Sequence, residues 1–174
     1  MADPRTLPFA TESTYHAYRR AEGRVGGWQR EVLAFFIGNE EYAVDIRRIR
    51  EIIKPREATE VPRAPDFVTG IISVRGTIIP VIDLRRRLRL DPPRWPLGRD
   101  ARILIVARGD ESFGLFVDEV RQVVRMRDSD VEPPTAMIGG TTTDFIAGIG
   151  RPYRDRLLIL LELDAVLTFS TGGR

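Results

Sequence analysis

The chain has 174 residues, with 27 Lys+Arg against 25 Asp+Glu, no cysteine and one histidine. That length fits one domain or two very small ones, and the missing cysteines exclude disulfides, thiol catalysis and thiolate metal sites. Leu, Ile, Val and Phe make up about 30% of the residues, well above the level of disordered chains, while no apolar run is long enough for a membrane helix.

Residues 1–30 contain only Leu7, Phe9 and Val25 from that apolar set, together with Gly23, Gly26 and Gly27. They read as a flexible N-terminal tail. They lack the apolar core of a signal peptide, so a cytoplasmic location is expected. The tail holds the whole charge surplus, and residues 31–174 are neutral. A neutral body argues against nucleic-acid binding, which normally shows a strongly basic domain.

From Glu31 the apolar signal rises. Glu31–Ile37 reads as a strand that turns at Gly38-Asn39 into Tyr42–Asp45. Ile46, Ile49, Ile52 and Ile53 then change spacing, which predicts one helical turn followed by a strand. Pro55, Pro62 and Pro65 make 54–66 an extended loop. Gly70–Arg75 and Thr77–Asp83 form a second hairpin around Arg75-Gly76, and Pro80 within it suggests an edge or bulge position. Leu84–Leu90 reads as a helical turn with Arg85, Arg86, Arg87 and Arg89 outward. Asp91–Arg99 is a proline-rich linker.

The same grammar then repeats. Val32–Ile53 lies over Ile103–Val124 at an offset of 71 residues, matching Gly38 with Gly109 and Glu40 with Glu111. Phe67-Val68-Thr69-Gly70-Ile71 matches Phe145-Ile146-Ala147-Gly148-Ile149 at an offset of 78, and Ile78-Ile79 matches Leu157-Leu158 at 79. The insertion around Gly139–Asp144 resembles a phosphate loop in composition only. Two halves result, about 31–90 and 101–168, with 169–174 as a C-terminal tail. Five short strands per half predict an all-β protein, mainly strand with short helical turns, built as small barrels filled by side chains.

Asp45, Asp83, Asp118 and Asp164 stand at strand ends or turn starts, where aspartate caps backbone N–H groups. No metal-ligand spacing, phosphate-binding loop or nucleophile motif accompanies them. Glu51 follows the helical turn and Arg75 precedes Gly76 at the hairpin tip. In a small barrel two such positions can be neighbours, and a bidentate Arg–carboxylate pair would fix the hairpin. Spacing alone equally allows two independent surface charges.

The run Phe35…Gly38-Asn39-Glu40-Glu41-Tyr42-Ala43-Val44-Asp45-Ile46…Ile49-Arg50-Glu51-Ile52, then Val61-Pro62-Arg63-Ala64-Pro65 and Phe67 through Leu84, resembles the CheW family of chemotaxis coupling proteins. Gly114-Leu115…Val117-Asp118-Glu119-Val120 extends the likeness through the second half. Ser73-Val74-Arg75-Gly76 stands where the family usually has Asn-Leu-Arg-Gly, and the turn pair is retained. The resemblance implies two packed five-stranded SH3-like barrels and a non-enzymatic adaptor with no cofactor and no metal. Its implied partners are the regulatory domain of a CheA-type histidine kinase, the cytoplasmic tip of methyl-accepting chemoreceptors, and other CheW-like proteins in rings. It implies a cytoplasmic place at chemoreceptor arrays, touching the membrane only through receptors. By the same resemblance Ile49, Glu51, Gly70, Arg75, Gly76, Ile103 and Val123 lie in or near the receptor- and kinase-binding surfaces. A single-stranded nucleic-acid-binding barrel is the alternative, since such barrels pair aromatic side chains with a basic groove. A carboxylate-dependent enzyme using Asp83 or Asp118 is a third reading, with no motif behind it.

Overall fold

A computed structural model describes residues 6–8, 30–90, 98–134, 143–153 and 155–169. The strands are β1 (Thr6–Pro8), β2 (Arg30–Ile37), β3 (Glu40–Asp45), β4 (Ile49–Ile53), β5 (Val68–Val74), β6 (Thr77–Asp83), β7 (Arg102–Arg108), β8 (Glu111–Val117), β9 (Glu119–Met126), β10 (Val131–Glu132), β11 (Ile146–Tyr153) and β12 (Arg156–Leu161). Two short helices, α1 (Leu84–Arg87) and α2 (Leu163–Leu167), follow β6 and β12, and a 3-10 turn at Ile46–Arg48 links β3 to β4. The chain is therefore mostly β.

The strands form two sheets, ordered β1-β9-β2-β3-β12-β11-β10 and β4-β7-β8-β6-β5. Neither sheet belongs to one half of the repeat. The first combines β2 and β3 with β9, β11 and β12; the second combines β4, β5 and β6 with β7 and β8. The expectation of one barrel per half, 31–90 and 101–168, is corrected in this respect: each half lends its first hairpin to the other barrel. The repeat itself is kept to the residue. Leu33 opposes Val44 and Val123 in the first sheet, and Leu104 opposes Leu115 and Ile52 in the second. A parallel pair joins the hairpins, with Leu160 opposite Ala43 and Val81 opposite Gly114.

Each sheet closes by the same device. Beyond β4 the chain crosses to the far edge, where Thr59 and Ile71 exchange backbone hydrogen bonds of 2.9 and 2.8 Å. Beyond β9 it crosses likewise, and β10 pairs with β11. We call the first sheet barrel 1 and the second barrel 2. Ile53, Ile72, Ile79, Val81, Ile103 and Ile105 fill barrel 2; Val32, Ala34, Ala43, Val124, Met126, Leu158 and Leu160 fill barrel 1. The opposite faces of both sheets meet in a larger central core that includes Leu33, Phe35, Ile49, Ile82, Leu104, Leu115 and Val123.

Four further expectations are revised. Residues 6–8 are a strand paired with β9, Leu7 opposite Val123, so this piece of the tail adds to a sheet; residues 1–5 and 9–29 lie outside the described residues. β6 lies inside its sheet and not at an edge, and Pro80 is tolerated because the ladder to β8 begins only at Val81, beside the register shift between Val68 and Gly70 of β5. Phe169, assigned to the C-terminal tail, packs edge-on against Phe67 and Phe113 at 5.1 and 6.2 Å between ring centroids. Finally, the arginine run after β6 is only half a solvated face: Arg86 and Arg89 are exposed, whereas Arg85 and Arg87 are partly buried. Arg85 ion-pairs with Asp118. The Arg87 guanidinium donates to the carbonyls of Ala165, Val166 and Thr168 at the end of α2. It also lies 4.5 Å from the Phe67 ring and 4.6 Å from Phe145. Those two phenylalanines are repeat-equivalent, so both halves converge on one cation. The linker residues 91–97 and the loop 139–142 lie outside the described residues.

Candidate partner-binding site

β5 and β6 are joined by a two-residue turn in which Arg75 has φ 50° and Gly76 φ 82°. Two successive positive φ values match the twist of a hairpin, which is why a glycine stands second. The turn points Arg75 back over the start of β4. Its Nε and Nη2 donate to Glu51 Oε2 and Oε1 at 3.3 and 3.0 Å. The fork therefore spans the gap between β4 and β5 that the Thr59 crossing closes further along. The hydrogen bond to Glu51, and then the charge of that carboxylate, hold the Arg75 guanidinium above its ordinary value. Arg75 is 77% exposed and Glu51 23%. The pair's own energy is small, because solvent screens it. Its effect is to aim a cation and a carboxylate outward from a rigid hairpin tip.

Two more predicted residues belong to this end of barrel 2. Gly76 is exposed in the turn. Gly70 is buried in β5 and serves closure: with φ +149°, a Cβ there would lie 2.4 Å from the Thr59 carbonyl oxygen. Gly70 thus lets the Thr59 crossing pass close to β5.

The remaining three predicted residues have their side chains inside. Ile103 is 1% exposed and fills barrel 2, while Ile49 and Val123 are fully buried in the central core. Buried side chains hold the barrels together, so of the residues expected in or near the binding surfaces these three lie beneath the surface and not on it. The structure brings Glu51, Arg75 and Gly76 together at one tip, with Gly70 supporting it.

One residue of this tip escaped the sequence reading. Ile78 is 61% exposed on β6, while its neighbour Ile79 is buried in barrel 2. Strand periodicity carries this signal, since adjacent side chains face opposite sides. An exposed isoleucine beside a paired cation and carboxylate is a composition suited to protein recognition.

The four candidate aspartates have structural partners. Asp45 accepts from the Arg47 N–H at 2.9 Å, and Asp83 accepts from the Arg85 N–H at 2.9 Å. Asp118 accepts from the Gly38 N–H at 2.7 Å as well as from Arg85, and Asp164 pairs with Arg48 at 2.7 Å. Among the described residues no group of three His, Asp or Glu side chains is placed to hold a metal ion. Among them, too, no helix is long and apolar enough to cross a membrane.

The family model for the CheW-like domain matches residues 31–170. The chain is 33% identical over 137 residues to "Chemotaxis protein CheW" of Helicobacter pylori, covering 79% of this chain and 81% of that protein. It is 32% identical to the Bacillus subtilis protein of the same name, covering 79% and 86%. Among solved structures it is similar to the scaffolding protein TtCheW from Thermoanaerobacter tengcongensis, with a TM-score of 0.73 and 31% identity, covering 82% of this chain and 95% of that one. Matched over nearly all of its two barrels, the chain belongs to the CheW-like family.

Proposed function

We propose that this protein is a non-enzymatic chemotaxis adaptor that couples chemoreceptors to a CheA-type histidine kinase. The observation that carries the reading is the tip of barrel 2. A bidentate Arg75–Glu51 pair and an exposed Ile78 stand on a rigid hairpin, within a fold shared with proteins named for chemotaxis and scaffolding. The four aspartates are engaged in caps and ion pairs, which supports an adaptor over a carboxylate enzyme. In this reading the kinase's regulatory domain meets the hairpin tip and the receptor's cytoplasmic tip binds the same protein. The adaptor then sits in the cytoplasm at receptor arrays, and other CheW-like proteins share the rings.

The arginines speak against the nucleic-acid reading. Arg48, Arg85, Arg108, Arg125 and Arg156 are each paired with a carboxylate of the same chain. Such pairs neutralise these five cations within the chain, and phosphate contacts supply most non-specific nucleic-acid affinity.

The test is co-sedimentation of the protein with receptor cytoplasmic fragments and the kinase, read beside kinase autophosphorylation. A receptor-dependent change in kinase output that requires the protein is the expected result. No change, or salt-sensitive binding of single-stranded oligonucleotide instead, overturns the adaptor reading.

A further inference from the structure

The two barrels differ at one equivalent edge. In barrel 1 the outer edge of β9 carries β1, antiparallel, with Thr6 opposite Val124, Leu7 opposite Val123 and Pro8 opposite Gln122. The repeat offset of 71 makes Glu51, Ile52 and Ile53 of β4 the equivalents of Gln122, Val123 and Val124. β4 pairs with β7 on its inner side as β9 pairs with β2, in the same register. Among the described residues no strand lies on the outer edge of β4. An edge of this kind presents unpaired N–H and C=O groups, which template another strand.

We propose that the outer edge of β4 receives residues 6–8 of a second copy of this chain. The pairing would be antiparallel, with Thr6 opposite Ile53, Leu7 opposite Ile52 and Pro8 opposite Glu51. The argument is that this segment already pairs with the equivalent backbone edge in its own chain. Main-chain ladders supply the affinity of such strand addition, and they are largely indifferent to side-chain identity. The reach is sufficient: residues 9–29 intervene between β1 and β2, and at roughly 3.5 Å per residue they span up to about 70 Å. Pro8 has no N–H, so a sheet that ends in this strand offers an incomplete ladder to a further one. Exchange therefore joins chains pairwise through arms and does not lengthen a single sheet without limit. Pairing within one chain competes at an effective concentration in the millimolar range, so exchange is favoured where copies are held close together.

The absence of cysteine makes the test clean. Full-length chains carrying Pro8→Cys are mixed at about 0.5 mM, near that range, with full-length chains carrying Glu51→Cys, under mild oxidation. Directly opposed strand residues lie within disulfide distance. The expected product is a mixed disulfide dimer, at least tenfold more abundant than with Glu132→Cys, an exposed position on β10. Excess synthetic peptide of residues 1–12 should suppress it. Equal yields at Glu51 and Glu132, or cross-linking to Gln122→Cys of the second chain with none to Glu51, overturn the proposal. Neither kinase nor receptor enters the assay, so its failure leaves the adaptor reading standing.

Discussion

Barrel 1 and barrel 2 share a register but not a filling. At equivalent positions barrel 2 has Ile105, Gly114 and Ile72 where barrel 1 has Ala34, Ala43 and Gly150. The volume lost at Gly150 is recovered by Met126, whose Sδ would lie 3.1 Å from a Cβ built there. A flexible thioether fills irregular space of this kind. Constant backbone with exchanged side chains shows that total volume and alternation specify these interiors, while individual identities trade against one another. The outer edges diverge for another reason. Barrel 1 covers β9 with a strand, whereas barrel 2 spans the corresponding gap with the Arg75–Glu51 fork and leaves Ile78 in solvent.

The largest expected effect comes from the interior that the two barrels fill differently. Ile103→Ala should destabilise the protein by about 2–5 kcal/mol, since it deletes a buried side chain from a closed barrel. Denaturant unfolding measures this, and binding per folded molecule should stay normal. A stable variant that no longer binds would return Ile103 to the partner surface.

Closure can be compared directly. Gly70→Ala should cost about 3 kcal/mol or more, because the added Cβ meets backbone and the φ is unfavourable for any side chain. Gly148→Ala should cost less, about 1–3 kcal/mol. Its Cβ would meet Val131 Cγ1 at 2.7 Å and the Glu132 carbonyl oxygen at 3.0 Å, and a valine rotamer can give. Equal losses in thermal and urea melts would mean that the two crossings are equally tight.

The open tip gives a smaller change in stability and a large one in binding. Arg75→Glu should leave the melt within about 1 kcal/mol of the parent, while weakening the kinase complex by roughly 2–5 kcal/mol if the charge is desolvated there. Adding Glu51→Arg should restore part of the binding. A normal pull-down with Arg75→Glu removes the tip from the site.

The smallest effect is a pH dependence confined to barrel 1. Burial raises the pKa of Asp45, but hydrogen bonds and charge from Arg47 outweigh it, and the net shift is below the ordinary 3.8. A lowered folded-state pKa means that the stabilisation is present above the unfolded value and fades as pH falls through the folded one. Asp45→Asn should therefore cost about 1 kcal/mol at neutral pH and flatten the stability profile below about pH 4. Parallel profiles for parent and variant would assign the acid sensitivity elsewhere.

Much of the site was legible locally. Arg75-Gly76 announced a tight turn, and the structure places it there because the paired positive φ values suit the strand twist. Asp83 announced the α1 cap. Glu51 and Arg75 were nameable as a possible pair, yet spacing left it open whether they meet. Ile78 was readable from alternation against Ile79 and was missed because isoleucine suggests a core. Burial of Ile49, Ile103 and Val123 was hidden because both faces of β4, β7 and β9 are covered, one by the barrel interior and one by the central core. Arg87 and Phe169 were misplaced for the same reason: their partners come from distant parts of the chain.

The sequence by itself determined the strands, the hairpins, the caps and the doubled pattern, because each depends on residues close together in the chain. Which strands share a sheet was decided only in three dimensions. Backbone hydrogen bonds carry no residue identity, and the period-2 alternation sets the facing of a strand but not its neighbour. Closing two sheets at once selected the arrangement, with β2 and β3 paired across the repeat to β9 and β12. That closure brings the Arg75 turn of β5 and β6 over Glu51 on β4 and, among the described residues, leaves no strand on the outer edge of β4.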